Sequence, residues 1–141
     1  MQKIVPFLWF DGKAEEAARF YTSIFKNSTV THVSPLVSNF NLEGQEFMAL
    51  NGGPMYSFTP AVSFFVKCEN QEEIDFFWGK LSEGGRTDCC GWLQDKYGLS
   101  WQVVPTALMR LMSGQDREKS QRVMSALMQM TKIDIKELED A

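Results

Sequence analysis

The sequence predicts an α+β protein with two successive βαβββ units, whose curved mixed sheets enclose a cleft, followed by C-terminal helices. Three observations lead to this fold. A strand, a helix and three further strands are predicted in about residues 1–55, and the same order returns in about residues 60–105. The two segments align residue by residue. After Pro105 the pattern is helical, so we expect a single domain, 1–141, with a C-terminal extension at 106–141.

The first unit opens with IVPFLWF, a strand whose continuous apolar residues indicate burial on both faces. The helix KAEEAARFYTSIF follows, with Asp11 as its candidate cap and two acids in its first turn. Alternating polarity then predicts strands in STVTHV, VSNFNLE and EFMALN. Only the residues around Pro35 separate the first two of these strands. Either that connection is tight or residues are missing there.

The second unit begins with the strand AVSFFVKCE and the helix NQEEIDFFWGKLSEG, capped by Asn70 and closed by Gly84. The stretch CGWLQDKYGLSWQVVP predicts the last hairpin, with a turn at Asp95–Gly98 and Gly98 at positive φ. The segments TALMRLMS, DREKSQRVMSALMQM and DIKELEDA predict three final helices.

The two units align over a strand and a helix. Placing Phe7 on Phe64 also pairs Glu15 and Glu16 with Glu72 and Glu73, Phe20 with Phe77, Tyr21 with Trp78 and Ile24 with Leu81. Agreement at this many positions in one register indicates a duplicated unit.

The composition favours a globular protein, with 44% hydrophobic and 13% aromatic residues. The net charge is −4 without a long basic run, so we expect no nucleic-acid partner. The first residues resemble neither a signal peptide nor a membrane span. Three cysteines, without the spacing of a disulfide framework, favour a reducing compartment. We therefore expect a cytoplasmic protein that does not bind membranes.

Four motifs in order, PFLWFDGKAEEAARFY, FMALNGGP, CGWLQDKYGLSWQVVP and KIDIKEL, resemble the PhnB-like family. That family belongs to the vicinal oxygen chelate superfamily of glyoxalases, bleomycin resistance proteins and dioxygenases. Its members are often labelled 3-demethylubiquinone-9 3-methyltransferase. The resemblance covers nearly the whole chain and implies the paired βαβββ fold. Members usually carry a longer loop between the second and third strands.

Enzymes of this superfamily typically bind a divalent metal ion at four strand positions. The resemblance places these positions near Ile4 or Val5, near Ala49, near Ala61 and at Gln102. Three of the four positions are aliphatic and offer no donor atom. The single histidine, His32, lies outside the set. We therefore expect no metal and no cofactor.

Candidate catalytic residues are few, and none is assigned. An adenosylmethionine-dependent enzyme of the common class needs a spaced glycine motif between a strand and a helix, whereas NGGP and EGGR read as turns. Cys89 and Cys90 are adjacent, so at most one faces a cleft, and buried reduced thiols are the simpler interpretation. For an enzyme, Asp95, Cys90 and Gln102 are the only local acid, base or polar candidates.

The site prediction is a ligand-binding pocket with an aromatic wall, suited to a flat and largely uncharged molecule. Its predicted residues are Trp9, Asn51, Trp92, Trp101 and Gln102. The function expected first is metal-independent binding of an unidentified small molecule. The alternatives are an enzyme acting on a quinone-like or aromatic substrate and an interaction module that uses the C-terminal helices. The methionine-rich tail also leads us to expect a homodimer.

Overall fold

The computed structural model describes residues 2–141 and consists of two compact units, the first ending at Phe58 and the second beginning at Thr59. The first unit contains β1 (Phe7–Phe10), α1 (Ala14–Ile24), β2 (Thr29–Val33), β3 (Val37–Leu42) and β4 (Gln45–Asn51). The second contains β5 (Ser63–Cys68), α2 (Gln71–Ser82), β6 (Arg86–Thr87), β7 (Trp92–Gln94), β8 (Ser100–Pro105), α3 (Thr106–Met112), α4 (Arg117–Leu127) and α5 (Ile135–Asp140).

Each unit forms its own mixed four-stranded sheet, and the two sheets share one topology. The strand orders are β1-β4-β3-β2 and β5-β8-β7-β6. In each sheet the first strand pairs in parallel with the last, and the other pairs are antiparallel. The predicted α+β class and the βαβββ repeat are confirmed.

Helix α1 covers one face of the first sheet, where the ring of Tyr21 lies 5.9 Å from that of Phe40. Strand β1 alternates between the two faces. Phe10 is 3% exposed, whereas Phe7 is 53% exposed and Ile4, outside the strand, is 87% exposed. The prediction that this strand is buried on both faces is therefore wrong.

The first turn of α1 is held by a residue from the far end of the unit. The side-chain oxygen of Asn51, at the end of β4, accepts a hydrogen bond of 2.8 Å from the amide of Ala14. Its amide group donates to the carbonyl of Pro35 at 3.0 Å. Asp11 is not the cap, because the N-cap position is Lys13, which makes no side-chain cap bond. Asn51 thus satisfies an amide that the helix itself leaves unpaired.

The connection around Pro35 is a tight turn. The amide of Ser34 donates to the carbonyl of Val37 at 2.8 Å, and the Ser34 hydroxyl oxygen accepts from the Val37 amide at 3.0 Å. The hydrogen bond to the Ser34 hydroxyl stabilises this turn, which lacks the glycine and asparagine residues of common hairpin turns. This sequence therefore closes the connection with a tight turn, and the alternative that residues are missing there is not tested by it.

Helix α2 covers one face of the second sheet and begins at Asn70, whose side chain accepts from the amide of Glu73, as predicted. The two helices align as expected, but the strands align one residue differently. Phe10 and Cys68 end β1 and β5, and both are buried against their helix. Counting back from these ends, Phe7 corresponds to Phe65 instead of the predicted Phe64.

The stretch from residue 90 to 105 forms the predicted hairpin, in which β7 and β8 pair antiparallel. Its turn is built around Asp95, which is 2% exposed. One carboxylate oxygen accepts from the amides of Tyr97 and Leu99 at 2.8 and 3.1 Å, and Gly98 has φ of 85°, as predicted. The short strand β6 and the 3-10 turn at Cys89–Gly91 were not predicted.

The C-terminal segment docks onto the second unit through main-chain hydrogen bonds. The amides of Cys90 and Gly91 donate to the carbonyls of Met130 and Thr131 at 2.8 and 2.9 Å. The side chain of Gln71 donates to the Ile133 carbonyl and accepts from the Ile135 amide. Behind these bonds lies an apolar cluster of Val104, Val123, Leu127, Met130, Ile133 and Leu138. Across residues 2–141, every helix is too short or too polar to cross a membrane.

Gly91→Ala is expected to destabilise this docking strongly. Gly91 has φ of 84°, and an added Cβ would lie 2.8 Å from both the Val103 carbonyl oxygen and a methyl group of Ile133. Gly98→Ala is the matched control, because its φ is 85° but a Cβ there meets open space. We expect roughly 1–2 kcal/mol of destabilisation for Gly98→Ala and at least about 3 kcal/mol for Gly91→Ala in urea unfolding. Equal losses would contradict the proposed backbone contact.

Candidate functional site

The face of the second sheet opposite α2 carries both polar and aromatic side chains. Alternation along the strands and the register between them place six residues on it. We call it the Gln102 face, and it comprises Ser63, Phe65, Trp92, Gln94, Ser100 and Gln102. Two rows cross it: Phe65–Gln102–Trp92 and Ser63–Ser100–Gln94. Directly opposed residues in such rows are close enough for their side chains to act together.

Gln102 is the centre of this face, with an aromatic residue on each neighbouring strand. Its amide group donates to the hydroxyl oxygen of Ser63 at 3.0 Å. Among the residues that the structure describes, its carbonyl oxygen accepts no hydrogen bond, and the indole N–H of Trp92 donates none. The hydroxyl of Ser100, a residue only 1% exposed, also has no partner within the described chain. Within the described chain, the carbonyl oxygen of Gln102 is thus an unused acceptor and the indole N–H of Trp92 an unused donor, and the two residues are directly paired across β7 and β8.

Such an arrangement suits a flat molecule that carries its own donor and acceptor. Phe65 is 41% exposed and Trp92 is half-buried, so both rings present accessible apolar surface. Ring surface supplies most of the binding energy for an aromatic ligand, while a few polar groups fix its orientation. The Gln102 face has both parts.

The structure does not bring Trp101 together with Gln102 and Trp92. Trp101 is 3% exposed and lies on the face covered by α2, where its ring is 5.5 Å from that of Phe64. Its indole N–H donates to a carboxylate oxygen of Asp95 at 2.9 Å. Both side chains therefore support the core of the second unit.

Trp9 and Asn51 belong to the first unit, and both make hydrogen bonds within it. The indole N–H of Trp9 donates to the carbonyl of Gly53 at 2.8 Å, and its ring meets that of Tyr56 edge-on at 4.9 Å. A Cβ on Gly52 would overlap the Trp9 ring, so glycine is required there. Asn51 uses its oxygen and its amide group to hold α1 and the tight turn. Ligand binding by these two residues stays a prediction.

Two of the three thiols are poor nucleophiles in this structure. Burial, followed by the charge of Glu73, raises the pKa of Cys68 to about 12. Burial, followed by a hydrogen bond to Cys89, raises the pKa of Cys90 to about 11. A thiol with so high a pKa carries almost no thiolate at neutral pH, and the thiolate is the reactive form. Of the candidates for an enzyme, Cys90 therefore does not fit the role of a nucleophile, and Asp95 is buried and already accepts hydrogen bonds from three donors.

A comparison with known protein families shows which family this chain belongs to. The family described as 3-demethylubiquinone-9 3-methyltransferase matches residues 2–104. The chain belongs to this family. The match ends within β8, so α3, α4 and α5, together with the KIDIKEL motif, lie outside the matched segment. Among curated proteins, no match was found.

Solved structures agree with the family and show the fold. A PhnB protein from Bacillus cereus is 40% identical over 74% of this chain and 100% of its own, with a TM-score of 0.70. A glyoxalase/bleomycin resistance protein from Albidiferax ferrireducens is 13% identical over 74% of this chain and 98% of its own, with a TM-score of 0.52. A glyoxalase-related enzyme from Fulvimarina pelagi is 12% identical over 76% and 91%, with a TM-score of 0.52. The last two likenesses concern the fold alone.

The residues at the superfamily's metal positions do not fit a divalent cation. Ala49 is fully buried on the face covered by α1, and its neighbours on the other face, Met48 and Leu50, carry no oxygen or nitrogen donor. Of the four positions, only Gln102 offers a side-chain oxygen, and its amide group donates a hydrogen bond to Ser63. Divalent cations need several nitrogen, oxygen or thiolate ligands. These positions therefore lack the set of donors that a catalytic divalent metal ion requires.

The family name also implies a methyl donor, and the glycines do not fit the common adenosylmethionine site. That site requires a glycine-rich turn between a parallel strand and the helix that follows it. Here Gly52 follows β4 and lies against the ring of Trp9, while Gly84 and Gly85 follow α2. Neither pair leads from a strand into a helix.

Four residues of the Gln102 face are not in the predicted site: Ser63, Phe65, Gln94 and Ser100. Phe65 is hard to assign from the sequence, because it and its neighbour Phe64 are equally apolar positions of β5. Only the pairing of β5 with β8 shows that Phe65 stands opposite Gln102. Adjacent residues of a strand lie on opposite faces, so a core position for Val66 implies that Phe65 lies on the face away from α2.

Proposed function

We propose that this protein binds a flat, largely uncharged small molecule on its Gln102 face without using a metal ion. The observation that carries the proposal is the unused indole N–H of Trp92 in register with the unused carbonyl oxygen of Gln102. Neither atom is among the fully buried polar atoms that lack a partner, so both are open to solvent and a ligand can bond both without breaking a hydrogen bond within the protein. Phe65 supplies apolar surface on the other side of Gln102.

Binding is better supported than catalysis by the groups around this face. The carboxylate of Asp95 is buried and accepts from three donors, so it is committed to the hairpin. The raised pKa of Cys90 keeps that thiol protonated. General acid–base chemistry needs a group that exchanges a proton near the working pH and reaches the substrate. The remaining polar groups of the face are amides and hydroxyls.

The first experiment is native mass spectrometry of the protein purified without added metal, together with elemental analysis. We expect a small organic molecule to be retained by the wild-type chain and lost from Trp92→Ala and Gln102→Ala. The same spectra report whether the chain forms the expected homodimer. A stoichiometric zinc, nickel or iron ion would contradict metal-independent binding.

A defined probe gives a second test that does not depend on a retained molecule. 2-Naphthol is flat and uncharged, and its hydroxyl can accept from Trp92 and donate to Gln102. We expect it to shift the indole N–H resonance of Trp92 and to leave that of the buried Trp101 unchanged in two-dimensional NMR. Gln102→Ala is expected to weaken binding about tenfold, equivalent to one hydrogen bond of roughly 1.4 kcal/mol. Gln121→Ala, on the exposed side of α4, is the matched control.

Two outcomes of the probe experiment would overturn the proposal. One is a shift of every tryptophan resonance to the same extent, which indicates unspecific association. The other is an affinity for 2-naphthol that is equal in Gln102→Ala, Trp92→Ala and wild type. Circular dichroism of the three proteins establishes that the variants are folded.

A further inference from the structure

Three sulfur-containing side chains, none of them among the residues of the Gln102 face, lie close together in the second unit. Cys89 and Cys90 lie in the 3-10 turn before β7, and Met128 is the C-cap residue that follows α4. The Sγ atom of Cys90 lies 3.8 Å from the Sδ atom of Met128. The thiols of Cys89 and Cys90 are near enough to interact electrostatically. We call these three residues the sulfur cluster.

The main chain holds the sulfur cluster in an unusual conformation. Cys90 has φ of 63° and ψ of 31°, a left-handed conformation that residues with a Cβ adopt at an energetic cost. Its amide donates to the carbonyl of Met130 at 2.8 Å, two residues beyond Met128. The carboxylate of Asp88 accepts from the amide of Cys89 at 2.9 Å. The strained turn therefore directs both thiols while the docked C-terminal segment fixes the thioether beside them.

The sulfur cluster is also accessible from solvent. Met128 is 56% exposed, Cys89 is exposed and Cys90 is half-buried. Because Met128 is exposed and gains little from burial at this position, its thioether is available to a ligand.

We propose that the sulfur cluster binds a monovalent copper ion, Cu(I), through the two thiolates and the thioether. Thiolate and thioether sulfurs are soft ligands and select Cu(I) over the harder divalent ions. Sulfur ligands lie about 2.3 Å from a bound metal, so three of them around one ion are about 4 Å apart. The distance from Cys90 to Met128 already matches that separation.

The donor set distinguishes Cu(I) from zinc. Zinc sites in proteins have four ligands, or three with a water, drawn from Cys, His, Asp and Glu. Within residues 2–141 no group of three or more such side chains is placed to hold a metal ion. Two thiols and a thioether satisfy a three-coordinate copper ion without further residues.

Binding is a simple exchange of protons for metal. Each thiol loses its proton to solvent, two Cu–S bonds form to the thiolates, and the thioether adds a third without losing any group. Copper enters and remains as Cu(I), so no electron is transferred. None of these ligands belongs to the Gln102 face, so the copper proposal does not rest on the proposed small-molecule function.

The test is a titration of the reduced protein with Cu(I) under anaerobic conditions, in competition with a chromophoric Cu(I) chelator. We expect one copper ion per chain. Cys89→Ser and Cys90→Ser are expected to abolish competition with the chelator. Met128→Leu is expected to lower the affinity on the order of tenfold, since lost metal-site interactions typically reduce affinity by about 10–100-fold. Met124→Leu, one helical turn earlier and 41% exposed, is the matched control and is expected to bind as wild type.

Unchanged affinity in Met128→Leu and in Cys89→Ser would overturn the proposal, as would displacement of Cu(I) by an equal concentration of Zn(II). Cys90→Ser alters a strained position and is checked by circular dichroism. Should it not fold, Cys89→Ser and Met128→Leu decide the outcome, because both residues are exposed.

Discussion

Replacing Trp101 by alanine is expected to lower the free energy of unfolding by about 3–5 kcal/mol, the range for truncating a buried aromatic residue. Trp101 is 3% exposed and contributes both ring packing against Phe64 and a hydrogen bond to Asp95. Its removal leaves a cavity under α2 and takes a donor from a buried carboxylate. Urea unfolding followed by circular dichroism measures the loss.

Trp92→Ala is the matched control for Trp101→Ala, because the two residues lie on paired strands of the same hairpin. Trp92 is half-buried on the Gln102 face, and its replacement is expected to lower the free energy of unfolding by only about 1 kcal/mol. The two variants therefore separate a residue that stabilises the fold from one available to a ligand. Similar losses for both would contradict the assignment of the two faces.

Asp95→Ala is expected to lower the free energy of unfolding by about 3 kcal/mol or more, because three hydrogen bonds to a buried carboxylate are lost together. The carboxylate accepts from two amides of the turn and from the indole of Trp101. Without it, those donors are left in a region where water does not replace the bonds. The indole fluorescence of Trp101 and the urea midpoint are both expected to change.

Asp95→Asn separates the contributions of the two carboxylate oxygens. Asparagine keeps one oxygen for the amides of Tyr97 and Leu99 but presents an amide group to the Trp101 indole, so we expect a smaller loss of about 1–2 kcal/mol. Asp11→Ala, at an exposed bend outside the secondary structure, is the control and is expected to change stability by less than about 0.5 kcal/mol. A stability of Asp95→Ala equal to that control would rule out a structural role for the carboxylate.

Local patterns were sufficient to predict most of the fold. The period of two in VSNFNLE and the period of 3.6 in the helix that contains Tyr21 each depend on neighbours in sequence, and both elements are present. The cap of α1 could not be found this way. The hydrogen bond from Ala14 to Asn51 spans 37 positions and exists only because β4 lies beside β1. Asp11 had the right residue type for a cap and the wrong position.

The candidate site was predicted in part. Trp92 and Gln102 were selected, and the structure pairs them across strands β7 and β8. Trp101 was included although it is adjacent to Gln102, and adjacent residues of a strand face opposite sides. Strand alternation alone therefore places Trp101 and Gln102 on opposite faces, although both the aromatic residues and the glutamine of this segment suggested a single site. The sulfur cluster depends on the return of the chain to Cys90 at Met128, which no local pattern reveals.

The docking of the C-terminal segment has a consequence for the synthesis of the protein. The sheet of the second unit is complete once Pro105 has left the ribosome, but Val104 packs against residues as far along as Ile133 and Leu138. Translation proceeds at about 5–20 residues per second, so the apolar end of β8 stays exposed on the order of seconds until the C-terminal segment has been synthesised and packs against it. During that interval the nascent chain exposes a surface that chaperones recognise. Truncations before Met130 are therefore expected to accumulate in chaperone complexes in the cell.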